Sequence, residues 1–156
     1  MCGAPNLSPS SKYPIAYVEI RVFSHATEDL EKVQTAVKNT LPENLAAELK
    51  FNQTSVTGHH GNPIVLMEAK LTDKAALPSL LEKLASQLSP LDKEQFCMEL
   101  GQRIERHNLF LRLDKQNACL GTLKLTSQDP IHLKIHFKNK GPEEIQQICG
   151  QAGLLR

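Results

Sequence analysis

Few residues in this sequence have the types and spacing to do chemistry. His59 and His60 stand side by side between Gly58 and Gly61. Adjacent imidazoles in a turn could move protons or ligate a metal, and glycine amides could meet a phosphate. Neighbouring side chains in a turn diverge, however, and no Asp or Glu lies nearby in sequence to orient them, so a hairpin tip is the expected role. Asp114-Lys115-Gln116 could offer an ammonium to a phosphate and an amide to a base edge; alternatively, Asp114 caps the next turn and Lys115 is solvated. Residues 24–29, Ser-His-Ala-Thr-Glu-Asp, read as a strand-to-helix junction whose free amides also attract anions. Cys2, Cys97, Cys119 and Cys149 show neither a C-x-x-C pair nor zinc-finger spacing, and the last three fall among apolar neighbours, which predicts free thiols. The phosphate-loop, dinucleotide, nucleophile-elbow and zinc-protease signatures are all missing. The expectation is a non-catalytic chain with no metal and no cofactor.

A second kind of chemistry comes from alternation. Over 131–138, Leu133, Ile135 and Phe137 share one face and His132, Lys134, His136 and Lys138 the other. From residue 109, Leu111 and Leu113 point inward while Phe110, Arg112 and Asp114 point outward; around Leu123 and Leu125 the outward residues are Thr122, Lys124 and Thr126. If the first strand uses the same face, Tyr17, Arg21 and Phe23 join the set. Planar rings among cations suit base stacking and phosphate binding, although a solvated sheet face has the same composition.

These side chains need elements to hold them. Residues 13–24 alternate as a half-buried strand. Thr27 can cap a helix carrying Leu30, Val33, Val37 and Leu41 on one stripe, with Pro42 as its stop. Residues 49–57 and 64–72 read as an antiparallel hairpin around Gly58-His59-His60-Gly61-Asn62-Pro63. Leu77, Leu80, Leu81, Leu84 and Leu88 recur at helical spacing, with Pro78 in the first turn. Ser89-Pro90, or Asp92 with Gln95, opens a second helix burying Phe96, Cys97 and Leu100 and ending near Arg106. Residues 109–114, 121–126 and 131–138 predict three strands, with 115–120 as a connection. Pro142, Glu143 and Glu144 begin a short last helix. The order β-α-β-β-α-α-β-β-β-α lacks regular strand–helix alternation, which predicts an α+β fold with helices on one face of a largely antiparallel sheet.

The chain has 156 residues, 40% of them hydrophobic and 22% charged, enough for one domain with its own core. The expected division is an N-terminal arm over 1–13, an α+β domain over 14–140, and a short helix and tail over 141–156. No apolar run is long enough for a membrane span, and the start of the chain lacks an export signal, so the cytoplasm is the expected compartment. The formal charge is +1, which argues against an indiscriminate cationic binder. That charge is uneven: −4 over 15–100 and +5 over 101–140. The last third can therefore carry a local positive field.

Residues 24–29, Gly-His-His-Gly-Asn-Pro at 58–63, and Arg-Leu-Asp-Lys-Gln-Asn-Ala-Cys-Leu-Gly at 112–121, followed by Asp129-Pro130-Ile131, resemble an archaeal family of proteins described as predicted exosome subunits or RNA-binding proteins. In fold that family resembles the ribosomal protein that binds 5S rRNA, which implies a curved antiparallel sheet backed by helices. Arg112, Asp114, Lys115, Gln116 and Gly121 match its pattern, as do His25, Thr27, Glu28, Asp29, Gly58, Gly61 and Asn62; Cys119 stands where an aromatic ring is expected. Pattern and resemblance together predict RNA as partner, bound by Phe110, Arg112, Lys115, Gln116, Lys124, His132, Lys134, His136 and Lys138. The rival expectations are a protein-interaction subunit of an RNA-degrading or ribosome-assembly complex, and a hydrolase using His59 and His60.

Overall fold

The computed structural model describes residues 13–58 and 61–155. Thirteen elements follow in order. They are β1 (Ile15–His25), α1 (Leu30–Asn39), α2 (Glu43–Ala47), β2 (Asn52–Thr57), β3 (Pro63–Leu71), α3 (Pro78–Gln87), α4 (Pro90–Met98), α5 (Leu100–Arg103), β4 (Ile104–Glu105), β5 (Asn108–Asp114), α6 (Lys115–Cys119), β6 (Pro130–Phe137) and α7 (Pro142–Ala152). The strands form one antiparallel sheet in the order β2-β3-β1-β6-β5-β4. This is the α+β class that the element order predicted.

The period of two explains which face is buried. Val18, Ile20 and Val22 of β1, Met67, Ala69 and Leu71 of β3, Leu109, Leu111 and Leu113 of β5, and Ile131, Leu133, Ile135 and Phe137 of β6 sink into one core. Leu80, Leu81 and Leu84 of α3, Val33, Ala36 and Val37 of α1, Phe96 of α4 and Ile145 of α7 meet them there. Local chemistry sets the helix ends. Asp29, rather than Thr27, caps α1 by accepting from the Glu31 amide at 3.0 Å. Ser89 caps α4 through the Asp92 amide, and proline opens α3, α4 and α7. The Lys83 ammonium, from α3, donates to the carbonyls of Asn39 and Leu41 at 2.8 and 2.9 Å and so satisfies acceptors at the end of α1.

Several boundaries differ from the sequence reading. Residues 121–126 do not form a strand: only Leu125 bridges Leu113. The segment still covers the edge of β5, because the Asp114 amide donates to the Lys124 carbonyl and the Thr126 amide to that of Arg112. The buried Asp92 carboxylate takes the Leu125 amide at 3.2 Å, tying the same stretch to α4. The connection expected over 115–120 is helical over 115–119, and α2 is a helix for which the sequence reading has no counterpart. The helix expected to reach Arg106 ends at Arg103, because Ile104 and Glu105 pair with Leu109 and Asn108 around a tight turn with Arg106 at φ 57°. Cys97 is exposed rather than buried with Phe96. Tyr13, expected in the arm, is 2% exposed and belongs to the core; the rest of that arm lies outside the described residues, as do His59 and His60. Among the described residues no helix is long and apolar enough to cross a membrane.

Candidate nucleic-acid interface

The register of the central strands places side chains in rows across the sheet face opposite the core. Arg21 of β1 pairs with His132 of β6, which pairs with Arg112 of β5. Two arginines therefore flank a histidine on three adjacent strands, and Glu68 of β3 lies opposite Arg21, with Asn52 of β2 beyond it. The neighbouring row runs Lys70, Glu19, Lys134, Phe110. A depression of about 320 Å³ is lined by side chains of both rows, among them Glu19, Arg21, Phe110, His132 and Lys134. A second, of about 340 Å³, is bounded by Gln102, Arg103, Phe110, Arg112 and His132. Phe110 and His132 thus form the divide between two hollows, with a ring and an imidazole accessible from either side.

The electrostatics of this face are mixed rather than simply positive. Lys134 Nζ lies 3.4 Å from Glu19 Oε1, and Glu68 faces Arg21. Burial, then the charges of Arg21 and Arg112, hold the His132 imidazole below its ordinary pKa, partly opposed by Asp129. His136 is lowered in the same way, by burial and then by His107 and Lys134. One row further along, the His136 ring stacks on Tyr17 with centroids 4.6 Å apart, Lys70 Nζ sits 4.4 Å above the Tyr17 ring, and His136 Nδ1 meets Asn108 Oδ1 at 2.7 Å.

The structure separates the nine residues expected to bind RNA. Phe110, Arg112, His132 and Lys134 are brought together, and His136 lies one step along the same strand. Lys124 is exposed on the segment beside β5, Lys138 is exposed just past β6, and Gln116 is exposed on α6 beside a groove shared with Thr27 and Lys32. Lys115 is corrected outright: it is 6% exposed, not solvated. Its ammonium donates to the Phe23 carbonyl at 2.8 Å, to Glu28 Oε1 at 2.9 Å, and lies 2.8 Å from Asp129 Oδ2. His25 completes the cluster, with Nε2 3.1 Å from the Asp129 carboxylate. Burial would raise the Asp129 pKa, but the hydrogen bonds from Lys115 and His25 win and lower it. His25, Glu28 and Asp129 could supply metal ligands, their ligand atoms all within 4.8 Å of one another. Lys115 already puts a positive charge among them, so the cluster is a cation site filled by the chain itself. It locks the start of α6 and the turn before β6 onto the end of β1.

Arg21 joins this face as the alternation of the first strand allowed, and Glu19, Glu68 and Lys70, outside the nine, stand on it too. The signal for them was present: β3 alternates, and antiparallel pairing with β1 puts Glu68 and Lys70 on the face of Arg21 and Glu19.

Comparison with known proteins finds relatives over most of the chain. A family model described as RNA binding matches residues 17–137, which include most of β1, the hairpin, β5 and β6. An RNA-binding protein of Pyrococcus abyssi is 33% identical over 124 residues, covering 78% of this chain and 80% of that one. The crystal structure of a DUF54 protein from Archaeoglobus fulgidus superposes with a TM-score of 0.73 at 29% identity, over 88% of this chain and 99% of that chain. The structure of a DUF54 protein from Methanothermobacter thermautotrophicus gives 0.72 at 30% identity, over 91% and 98%. With its fold and most of its length thus matched, the chain belongs to the archaeal RNA-binding family, DUF54.

Proposed function

We propose that this chain binds RNA on the open face of its sheet and acts as a non-catalytic accessory to RNA processing or degradation. The observation that carries the reading is the row Arg21–His132–Arg112, set by strand register beside the half-buried ring of Phe110. Guanidinium groups hold phosphates, and an aromatic ring accepts an unpaired base without regard to sequence. The family description and the named relative support the same partner. Exosome association extends the resemblance in the junction motifs and rests on that alone.

The test is a titration of fluorescent single-stranded RNA by fluorescence anisotropy. Arg21→Ala with Arg112→Ala should weaken binding at least tenfold, and Phe110→Ala by about five- to 150-fold, in line with a stacking worth of ~1–3 kcal/mol per base. Wild-type affinity for the double variant would sink the reading.

A second reading rests on Glu19 and Glu68 among the cations. Alternating signs also suit a protein surface of matching pattern, as in a subunit of an RNA-degrading or ribosome-assembly complex. It predicts no RNA affinity for the isolated chain and capture of a protein partner that Arg112→Glu abolishes.

A further inference from the structure

The two ends of the sheet are finished differently. At one end β4 has only two residues, and the segment around Leu125 covers the rest of the edge of β5. At the other end β2 runs for six residues, Asn-Gln-Thr-Ser-Val-Thr, with every one exposed. One edge of β2 pairs with β3, and among the described residues no element pairs with the other. That outer edge carries no Lys, no Pro and no charge, which are the usual devices against edge-to-edge association. Beside it the register sets Val56 next to Ile64 and Thr54 next to Leu66, while Leu66 pairs with Phe23 of β1. Val56 is 37% exposed, and Ile64, Leu66 and Phe23 are half-buried, so this corner of the open face is apolar.

We propose that β2 pairs antiparallel with β2 of a second copy of this chain, making one continuous twelve-stranded sheet. Antiparallel self-pairing has two-fold symmetry, so each residue meets a partner from the same short stretch. A charged edge would repel itself there, whereas this edge is uncharged and places Thr and Ser hydroxyls within hydrogen-bonding reach across the axis. The apolar corner has no cation to hold a phosphate, which sets it apart from the Arg21–His132–Arg112 row. Pairing centred on Thr54 keeps both open faces on the same side, lines up the Leu66–Thr54 row of one copy with the same row of the other across the axis, and sets Val56 opposite Asn52 of the second copy. The proposal is independent of the RNA reading.

Sedimentation velocity of the full chain without RNA, at roughly 100 μM, tests it. The wild type should sediment as a dimer of twice 17.4 kDa. Thr54→Lys and Thr54→Glu, each placing like charges across the axis, should each be monomeric, with at least a tenfold weaker dimer. An equimolar mixture of the two should dimerise again, which no loss of folding could mimic. Thr54 is exposed, so both variants should keep the wild-type circular dichroism spectrum. A monomeric wild type, a dimer indifferent to Thr54→Lys, or a mixture that stays monomeric would each overturn the proposal; the first would leave the edge to a different protein.

Discussion

Lys134 and Glu19 lie on adjacent strands of the open sheet face with Nζ and Oε1 3.4 Å apart, so a cation expected to hold RNA is already engaged by a carboxylate of its own chain. A phosphate must compete with that carboxylate. Both side chains are more than a third exposed, so the pair itself is worth little. Glu19→Gln should therefore raise RNA affinity by about threefold while leaving thermal stability nearly unchanged. Anisotropy titrations of the two proteins at one salt concentration check it; an affinity that falls would place RNA elsewhere.

Salt dependence follows from the same face. Arg21, Lys70, Arg112 and Lys134 give four cationic positions on contiguous strands. Neutralising four phosphates of single-stranded RNA should give a log–log slope of about −3 in affinity against salt. Removing Arg112 should reduce the magnitude of that slope by about 0.7. A salt-independent titration defeats the electrostatic picture.

His132 should make binding pH-dependent. Its free-state pKa lies below 6.5 because of burial and the two flanking guanidinium groups, Arg21 and Arg112, with Asp129 opposing. A phosphate seated in the row would raise it, so binding takes up a proton between the free and bound values. Affinity should thus rise as pH falls through and below 6.5. The same depression makes the unfolded chain bind more protons in that window, so His132 lowers folded stability as the medium becomes more acidic. His132→Asn should flatten the affinity profile; an unchanged profile would assign the titration elsewhere.

Lys115 separates architecture from recognition. Lys115→Met leaves the Glu28 and Asp129 carboxylates facing each other without the ammonium. These acids are 30% and 44% exposed, so the cost is discounted to about 2 kcal/mol, or roughly 4–8 °C in Tm. The lowered Asp129 pKa contributes stability that is present above its unfolded value and lost as pH falls through the folded one, so wild type should weaken below about pH 4. The variant should show a shallower acid limb and wild-type RNA affinity. A large loss of RNA binding with Tm unchanged would return Lys115 to the interface.

Thiol reactivity should follow burial. Cys149 is buried and its pKa is pushed up to about 12 by desolvation, whereas Cys97 is exposed. Brief alkylation of the native protein, read by peptide mass spectrometry, should label Cys97 and spare Cys149 until denaturant is added.

Period-two alternation carried most of the fold, because it reports which side chains leave water. It identified β1, β5 and β6, while turn chemistry at 58–63 marked the β2–β3 hairpin, and it placed Phe110, Arg112, His132 and Lys134 on one face. It failed at 121–126 for a physical reason: Leu123 and Leu125 are buried as expected, but a strand also needs a hydrogen-bonded ladder, and Asp92 takes the Leu125 amide instead. Arg106 gave no warning of a turn, since an arginine at positive φ has none of the glycine or asparagine chemistry that marks one. Lys115 was misread because sequence spacing cannot show Glu28 and Asp129 converging on it from two other segments. The resemblance was strongest where the chain pins itself together, and the face that meets solvent was legible only from strand parity.

The strand order also governs how the chain can be made. β2, β3 and β1 form one half of the sheet and β6, β5 and β4 the other, and β1 is the strand through which they join, by pairing with β6. During vectorial synthesis β1 can pair first with β3, but its other edge, at Val18 and Ile20, lacks a partner until β6 leaves the ribosome, more than a hundred residues later. Completion of the core therefore waits for β6, and nascent chains cut before residue 130 should remain protease-sensitive and dependent on chaperones.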